Sequence, residues 1–194
     1  YNEFKNFFPD NHVEYFISYY DYYQPEAYIP RADLFIEKDS SINDELDRLR
    51  LSATASILSY DDVICIASVS AIYGLGDPSM FSKVVAKIEL QQSIKYKDFL
   101  LQLVDMGYQR DDATFDRSKF RINGDSIDVY PSYYDKKYIH IELFGDEVEY
   151  IDVREYLTNN VIKKLDKYML YATTQFVTDI QRRNIAIKEI ENEL

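Results

Sequence analysis

Hydrophobic positions before residue 84 predict the helices and strands of a parallel-sheet protein. Apolar residues at helical spacing predict a helix over residues 42–59, carried by Ile42, Leu46, Leu49, Ala53 and Ile57. Residues 13–17 form a short apolar segment typical of a strand. Residues 63–67 are continuously apolar, as in a strand buried on both faces of a parallel sheet. The first part of the chain is therefore predicted to be α/β.

From residue 84 onward the pattern changes to the alternation of an antiparallel sheet. Strands and hairpins are predicted in residues 84–90, 120–129, 138–144, 147–153 and 161–171. Asn123-Gly124 lies between two alternating runs and is a hairpin signal. Apolar spacing over residues 99–106 predicts one helix, which ends at Gly107. This second part is predicted to be a compact antiparallel α+β unit.

A tyrosine-rich stretch interrupts the first pattern. Six tyrosines fall between Tyr15 and Tyr28. Because strand side chains alternate between faces, adjacent tyrosines must send their rings to opposite sides, and at least one face carries rings toward solvent or a partner. Pro25 and Pro30 exclude a central-strand position, so residues 18–42 are predicted to form an extended excursion with a return strand at 34–36. The rings suit stacking on nucleic-acid bases, and a purely structural hairpin is equally compatible with the composition.

The charge balance restricts how such a stretch could meet DNA. The chain has a formal net charge of −12. Non-specific nucleic-acid binding depends mainly on neutralising phosphates with Lys and Arg, so broad electrostatic attraction is excluded. Any DNA contact must rely on ring stacking and insertion, after delivery by another protein.

Catalytic and metal-binding signals are weak throughout. The five glycines form neither a phosphate-binding loop nor a dinucleotide fingerprint, and the two histidines are isolated. Asp146-Glu147 follows a strand in the manner of magnesium-binding acids, but the intervening Gly145 favours an ordinary hairpin turn. Ser68 and Ser70 follow the predicted parallel strand without a candidate base, which favours a role in positioning the backbone. We therefore expect no catalytic, cofactor-binding or metal-binding residues in this chain.

Cysteine usage and hydropathy restrict the cellular compartment that the sequence predicts for the protein. The single cysteine, Cys65, excludes a disulfide within the chain, fits a reducing cytoplasm, and is predicted to be a buried, inert thiol. No run of 18 apolar residues is present, so no membrane partner is expected. The chain lacks an initiator Met and is expected to be a piece of a longer protein.

Six motifs of the chain form one set: Tyr1–Lys5, Ser18–Tyr28, Phe35–Asp39, Ser41–Asp44, Ala67–Ser70 and Ile72–Gly76. Together they resemble the UvrB family, the damage-verifying subunit of the bacterial UvrABC excinuclease. The resemblance covers essentially the whole chain and corresponds to an internal, N-terminal portion of the larger family proteins.

The resemblance implies a partial RecA-like domain of a superfamily 2 helicase, with an inserted domain. Residues 1–83 would form the partial helicase-like domain, with a β-hairpin at 18–42 that inserts between the strands of damaged DNA. Residues 84–177 would form the inserted domain that binds the loader, UvrA. Residues 178–194 would return as a helix to the helicase-like domain.

The resemblance also assigns the family's site residues to matching positions of this chain. The resemblance implies DNA contacts by residues of the hairpin base and tip: Tyr19, Tyr20, Tyr22, Tyr23, Tyr28 and Phe35. It implies UvrA binding by Arg110, Arg121 and Glu142. Asn123 and His140 stand where the family pattern predicts arginine, so UvrA affinity is expected to be weakened or redistributed. The resemblance implies that ATP with Mg²⁺ is bound by the full-length parent, because the family phosphate loop would lie upstream of Tyr1. It also implies UvrC as a partner of that parent.

Two other function classes remain open on the sequence. One is the related UvrA-binding module of transcription-repair coupling factors, which as a family lack the tyrosine hairpin. The other is a plain protein-interaction module whose tyrosine stretch is structural.

Overall fold

The computed structural model describes residues 1–18, 27–29, 34–36, 44–72 and 81–175. The chain divides into two compact units, Tyr1–Leu75 and Gly76–Leu194. Across the described ranges, no helix is long and apolar enough to cross a membrane.

The first unit contains a parallel strand pair with a helix packed against it. Its elements are α1 (Asn2–Phe7), β1 (His12–Phe16), β2 (Ala27–Ile29), β3 (Leu34–Ile36), α2 (Asp44–Ser59), β4 (Val63–Ala67) and a 3₁₀ turn (Val69–Ile72). β1 and β4 pair in parallel, from His12 opposite Val63 to Phe16 opposite Ala67. This pairing is consistent with the predicted α/β class.

Polar contacts join α2 to β1, and they explain where the predicted helix face is wrong. Leu46 and Ala53 are buried as expected, whereas Ile57 is 53% exposed. The hydroxyls of Ser52 and Ser56 donate to the Glu14 carboxylate at 2.9 and 2.7 Å. A hydropathy pattern counts such serines as solvent-facing, although here they point at the neighbouring strand.

Arg50 is a third polar residue on the buried side of α2. It is 1% exposed, and its guanidinium lies 4.4 Å from the centroid of the Phe16 ring. Its Nη1 donates to the backbone oxygen of Ile17 at 2.8 Å. A charged side chain buried in this way is stabilised by its hydrogen bond and ring contact.

The prediction that residues 63–67 are buried on both faces is wrong. Residues of β4 are half-buried or exposed, and Cys65 is exposed. Among the described residues β4 pairs with β1 alone, so it lacks the second neighbour of a central strand. Partial burial of the sulfur, and then the Glu14 carboxylate, raise the pKa of the Cys65 thiol, which therefore stays protonated at neutral pH. Nearby, the Ser18 N–H donates to the Ser68 hydroxyl at 3.3 Å, as a backbone-positioning role requires.

β2 and β3 form an antiparallel pair within the tyrosine-rich excursion. Tyr28 lies directly opposite Phe35 in the register. The predicted return strand at residues 34–36 is confirmed as β3. Tyr19, Tyr20, Tyr22 and Tyr23 lie outside the described residues, and so does the helix predicted at 178–194.

The second unit is built on a six-stranded sheet. Its elements are β5 (Val85–Glu89), α3 (Tyr96–Asp105), β6 (Gln109–Arg110), β7 (Lys119–Asn123), β8 (Ser126–Tyr130), β9 (Lys137–Phe144), β10 (Glu147–Glu155), β11 (Val161–Lys164) and β12 (Lys167–Tyr171). The order is β11-β10-β9-β8-β7-β6, and only the short edge pair β6–β7 is parallel. The predicted strand region 161–171 divides into β11 in this sheet and β12, which pairs antiparallel with β5.

Two glycine turns set the hairpins of this sheet. Asn123 pairs with Ser126, so the turn residues are Gly124-Asp125, one position later than predicted, with Gly124 at φ +61°. Gly145, at φ +63°, begins the turn between β9 and β10. Asp146 therefore belongs to an ordinary hairpin turn, and the described residues hold no cluster of metal-ligating side chains.

The helix α3 ends at Asp105 and is capped by Gly107, the residue predicted to end it. The Tyr108 N–H donates to the Leu103 carbonyl and the Gly107 N–H to the Val104 carbonyl, both at 2.9 Å. These two bonds form a Schellman motif, and Gly107 adopts the positive φ, +92°, that the motif needs.

One face of the six-stranded sheet is the core of the unit. Two rows of register partners carry it, Phe120–Val129–Ile139–Val153 and Ile122–Ile127–Ile141–Ile151. Val129, Ile127, Ile139 and Ile141 are each 0% exposed. Since side chains alternate along each strand, the residues between them face the other side of the sheet.

Candidate functional site

The second face of the sheet carries a row of charged residues across five strands, which we name the charged row: Arg121, Asp128, His140, Asp152 and Lys164. Each member lies directly opposite the next in the strand register, with His140 in the middle and acids on both sides of it. Opposite charges facing each other across strands stabilise a sheet by roughly 0.2–1 kcal/mol per pair. Direct contacts within the row join Arg121, Asp128 and His140, whereas Asp152 pairs with Arg154.

Asp128 is the junction of the charged row. Its Oδ2 accepts a hydrogen bond from Arg121 Nε at 2.8 Å, and its Oδ1 lies 2.6 Å from His140 Nδ1. Burial raises the pKa of the Asp128 carboxyl, but hydrogen bonds from His140 and then Arg121 outweigh that effect and hold the pKa below its usual value. The carboxylate is thus ionised at neutral pH and can only accept, so the His140 hydrogen lies on Nδ1.

From Asp128, the contacts run through His140 to Glu142, whose side chain reaches solvent. His140 is 7% exposed, and its Nε2 lies 3.8 Å from Glu142 Oε2. The Glu142 side chain is 47% exposed. Two of the predicted partner-binding residues, Arg121 and Glu142, therefore lie at the two ends of a chain of contacts through Asp128 and His140.

Aromatic rings pack beside the charged row. The Arg121 guanidinium lies 4.3 Å from the centroid of the Phe115 ring and 5.7 Å from that of Tyr138. Phe115, Tyr130 and Tyr138 form a buried cluster, against which Tyr134 and Tyr156 pack. Rings on one side and a carboxylate at Nε hold the guanidinium in a fixed plane.

Exposed rings lie near Glu142. Tyr150 pairs with Glu142 across the β9–β10 ladder and is 44% exposed. Phe144, two residues after Glu142 on the same strand, is 80% exposed. The Glu142 carboxylate thus stands beside apolar surface open to solvent.

Arg110, the third predicted partner-binding residue, is not brought to this face. Its register partner is Phe120, which belongs to the core row. Its Nε and Nη2 both donate to Asp112 Oδ2, at 3.0 and 2.8 Å. This hydrogen bond, chiefly, raises the pKa of Arg110 and lowers that of Asp112. Arg110 therefore lies on an edge strand in an exposed ion pair of its own.

Asn123 and His140, the positions where arginine was expected, differ in environment. Asn123 ends β7 beside the turn and is exposed, whereas His140 is buried in the charged row. Sequence reasoning missed Asp128 altogether. The polar alternation Arg121, Asn123, Ser126, Asp128 through the hairpin was the signal that could have placed it on the face of Arg121.

The predicted DNA-binding residues are described only in part. Tyr28 and Phe35 are opposite each other in the β2–β3 ladder. The four tyrosines at the hairpin base fall outside the described residues. Their role stays a prediction.

Comparison with known proteins gives a family for the second unit and relatives for the whole chain. Residues 86–176 match the family model of the UvrB interaction domain. All 194 residues align with UvrABC system protein B of Helicobacter pylori strain HPAG1 at 61% identity. The same protein of Campylobacter fetus subsp. fetus is 59% identical over 194 residues, and that of Campylobacter jejuni strain RM1221 is 57% identical.

The aligned region is only part of those proteins. The chain spans 30% of the length of each of these relatives, and all of the chain is covered. The comparisons therefore confirm the resemblance to the UvrB family, which this chain matches from its first residue to its last.

Proposed function

We propose that this chain is part of the damage-recognition and verification subunit of bacterial UvrABC nucleotide excision repair. In this proposal the second unit docks the loader UvrA, and the tyrosine-rich hairpin at 18–42 inserts between the strands of damaged DNA. The observation that carries the proposal is the charged face of the sheet, where Arg121 and Glu142 end one chain of contacts inside the region that matches the UvrB interaction domain.

The chemistry of that face supports protein docking. Arg121 can donate to a partner carboxylate, and Glu142 can accept from a partner cation, so the surface selects a partner that offers both charges in one orientation. Phe144 and Tyr150 add exposed rings, which are enriched at the centres of protein interfaces. Buried Asp128 holds Arg121 and His140 by hydrogen bonds, so Arg121 is presented in one orientation, while Glu142 offers an exposed carboxylate nearby.

DNA binding by the hairpin follows from ring chemistry rather than charge. Base–aromatic stacking contributes roughly 1–3 kcal/mol per base and tolerates any sequence. With a net charge of −12 the chain does not attract DNA phosphates broadly. A loader that carries the chain to DNA would make up for this missing electrostatic attraction. Tyr19, Tyr20, Tyr22 and Tyr23 would contact DNA near the lesion, while Tyr28 and Phe35 would clamp one strand.

The motor and the nuclease partner belong to the complete protein. We assign ATP hydrolysis with Mg²⁺ to residues outside this chain, because its five glycines contain no phosphate-binding loop. Contact with UvrC is likewise a property that we propose only for the complete protein.

A module of a transcription-repair coupling factor is the alternative function class. The tyrosine stretch disfavours it, since that family lacks such a hairpin, and similarity over all 194 residues to UvrABC system protein B points the same way. A purely interaction-mediating protein would dock UvrA without binding bubble DNA, and the two binding measurements separate it from the proposal.

The docking proposal is tested in the full-length protein with purified UvrA. Replacing Arg121 and Glu142 together by Ala should weaken UvrA binding at least about tenfold, because two charge-assisted contacts are lost. The matched control replaces Lys87 and Glu89, an exposed ion pair of β5 outside the six-stranded sheet, and should leave binding unchanged. Equal effects of the two double substitutions would refute the docking face.

A further inference from the structure

We propose that Asp128 and Phe115 are positioning residues that hold Arg121 ready for a carboxylate of the docking partner. The inference rests on the proposed UvrA docking and adds two residues, neither of which need touch the partner. It also specifies the chemistry of the partner: an Asp or Glu side chain that meets Arg121 end-on.

The first constraint on Arg121 is at Nε. Asp128 Oδ2 accepts from Arg121 Nε at 2.8 Å, and Asp128 is only 7% exposed. Its other oxygen is bound to His140 Nδ1 at 2.6 Å, so the carboxylate cannot turn without losing a second hydrogen bond. A carboxylate anchored from both sides fixes the direction in which the guanidinium points.

The second constraint is the ring of Phe115. The guanidinium carbon lies 4.3 Å from its centroid, within the range of a cation–π contact. Phe115 itself is 7% exposed and packs with Tyr130 and Tyr138. The ring cannot swing away, so it fixes the plane of the guanidinium as Asp128 fixes its direction.

These two constraints leave the far end of Arg121 for a ligand. Within the part of the chain that the structure describes, Nε is the only Arg121 nitrogen with a hydrogen bond. The side chain is 34% exposed, so Nη1 and Nη2 can face solvent as a two-donor fork. A fork of this kind matches the two oxygens of a carboxylate.

Arg110 provides the internal contrast. Its own exposed partner, Asp112, takes both Nε and Nη2. The Arg110 side chain is 55% exposed, against 34% for Arg121, so it is held less firmly. A preorganised donor loses less side-chain entropy on binding than a mobile one, so Arg121 should be the stronger anchor of the two.

The test uses full-length protein, purified UvrA and three single variants. Asp128→Asn should weaken UvrA binding about tenfold and Phe115→Leu about threefold, from the sizes of a charge-assisted hydrogen bond and a cation–π contact. Asp112→Asn, which breaks the Arg110 pair instead, is the matched control and should change binding less than about twofold. Thermal unfolding of each variant shows whether it is folded at the binding temperature.

A double-substitution cycle separates positioning from general damage. Combined with Arg121→Ala, Asp128→Asn should have almost no further effect on UvrA affinity, because the group that it positions is gone. Additive effects would overturn the inference. The inference also fails if Asp128→Asn leaves UvrA affinity unchanged while Arg121→Ala reduces it.

Nitrogen-15 spectra of the arginine side chains test the geometry without any partner. Arg121 Nε–H should exchange slowly with water in the unsubstituted protein and rapidly in Asp128→Asn, and rapid exchange in both would overturn the positioning. If the spectra behave as expected but Arg121→Ala does not reduce UvrA binding, the proposed docking face itself fails, and the inference about a partner carboxylate falls with it.

Discussion

Oδ1 of Asp128 and Nδ1 of His140 lie 2.6 Å apart across the β8–β9 ladder, with both side chains buried. Because Oδ2 of the same carboxylate holds Arg121, one acid joins the interior of the sheet to its exposed charged surface. A buried charge is tolerated only where it is paired and hydrogen-bonded, and Asp128 meets both conditions. The stability of the sheet and the geometry of the proposed docking face therefore depend on the same side chain.

Removing the Asp128 carboxylate should destabilise the protein measurably. Asp128→Ala leaves His140 and Arg121 without their acceptor, and losing one partner of a buried ion pair costs about 3 kcal/mol. Urea unfolding of the two proteins measures the difference. Glu149→Ala, an exposed acid on β10, serves as control and should change the unfolding free energy by less than about 0.5 kcal/mol.

The Asp128 pKa also predicts a pH dependence. Its folded-state pKa lies below the unfolded value, so its contribution to stability is fully present above the unfolded pKa of about 3.9 and is lost as pH falls through the folded pKa. Unfolding free energies between neutral pH and strongly acidic pH should therefore fall less steeply in Asp128→Asn than in the unsubstituted protein. Parallel curves would show that Asp128 titrates alike in both states.

Asp111 offers a direct titration test in the same unit. A hydrogen bond from Lys119 Nζ at 2.8 Å, and then backbone N–H donors at Thr114 and Ala113, lower the pKa of Asp111 to about 2. Lys119→Ala should raise that pKa toward the ordinary value near 3.8, with the backbone bonds retaining part of the shift. Carbon-13 NMR of the carboxyl groups would follow it, and an unchanged titration would contradict the assigned cause.

Gly107 and Gly124 form a matched pair for testing backbone strain. Both have positive φ, but a Cβ on Gly107 would lie 2.3 Å from Thr173 Oγ1, whereas a Cβ on Gly124 meets nothing within 4 Å. Gly124→Ala should destabilise by about 1 kcal/mol, from backbone conformation alone. Gly107→Ala should cost about 3 kcal/mol, since strain and a clash combine. Combining Gly107→Ala with Thr173→Ala should recover part of the loss in thermal unfolding.

The tyrosine hairpin is tested by incision of damaged DNA with the full-length protein, UvrA and UvrC. Replacing Tyr20 and Tyr23 together by Ala should impair incision at least about tenfold while UvrA binding stays intact, because stacking surface is lost but no residue of the proposed docking face is changed. The corresponding double replacement by Phe retains both rings and should keep most of the activity. Normal incision by the double Ala variant would remove the hairpin from the proposed mechanism.

Local pattern was sufficient to predict most strands of the second unit. Alternation and glycine turns predicted β7, β8, β9 and β10, because each hairpin joins strands that are neighbours in sequence. The cap of α3 was predictable from a single residue, Gly107. The turn at Gly124-Asp125 was displaced by one position because pairing of Asn123 with Ser126, and not the Asn-Gly motif, sets the register.

Features that depend on distant residues were not predictable. The sequence did not predict a role for Asp128. Its importance appears only when three strand ladders place it in one row with Arg121, His140 and Asp152. Ser56 and Arg50 were not expected on the buried side of α2, since their partners Glu14 and Ile17 lie more than thirty residues away. Cys65 was expected to be buried because an apolar run does not reveal how many strands flank it.

The pairing of β5 with β12 has a further consequence. The ladder sets Val85 opposite Tyr171, so the first and last strands that the structure describes in the second unit run side by side in opposite directions. Residues 85–171 thus begin and end at points about 5 Å apart, the distance between neighbouring strands. A segment whose two ends lie side by side can be carried in a surface loop of another protein without stretching its host, so residues 85–171 should tolerate transplantation as one piece.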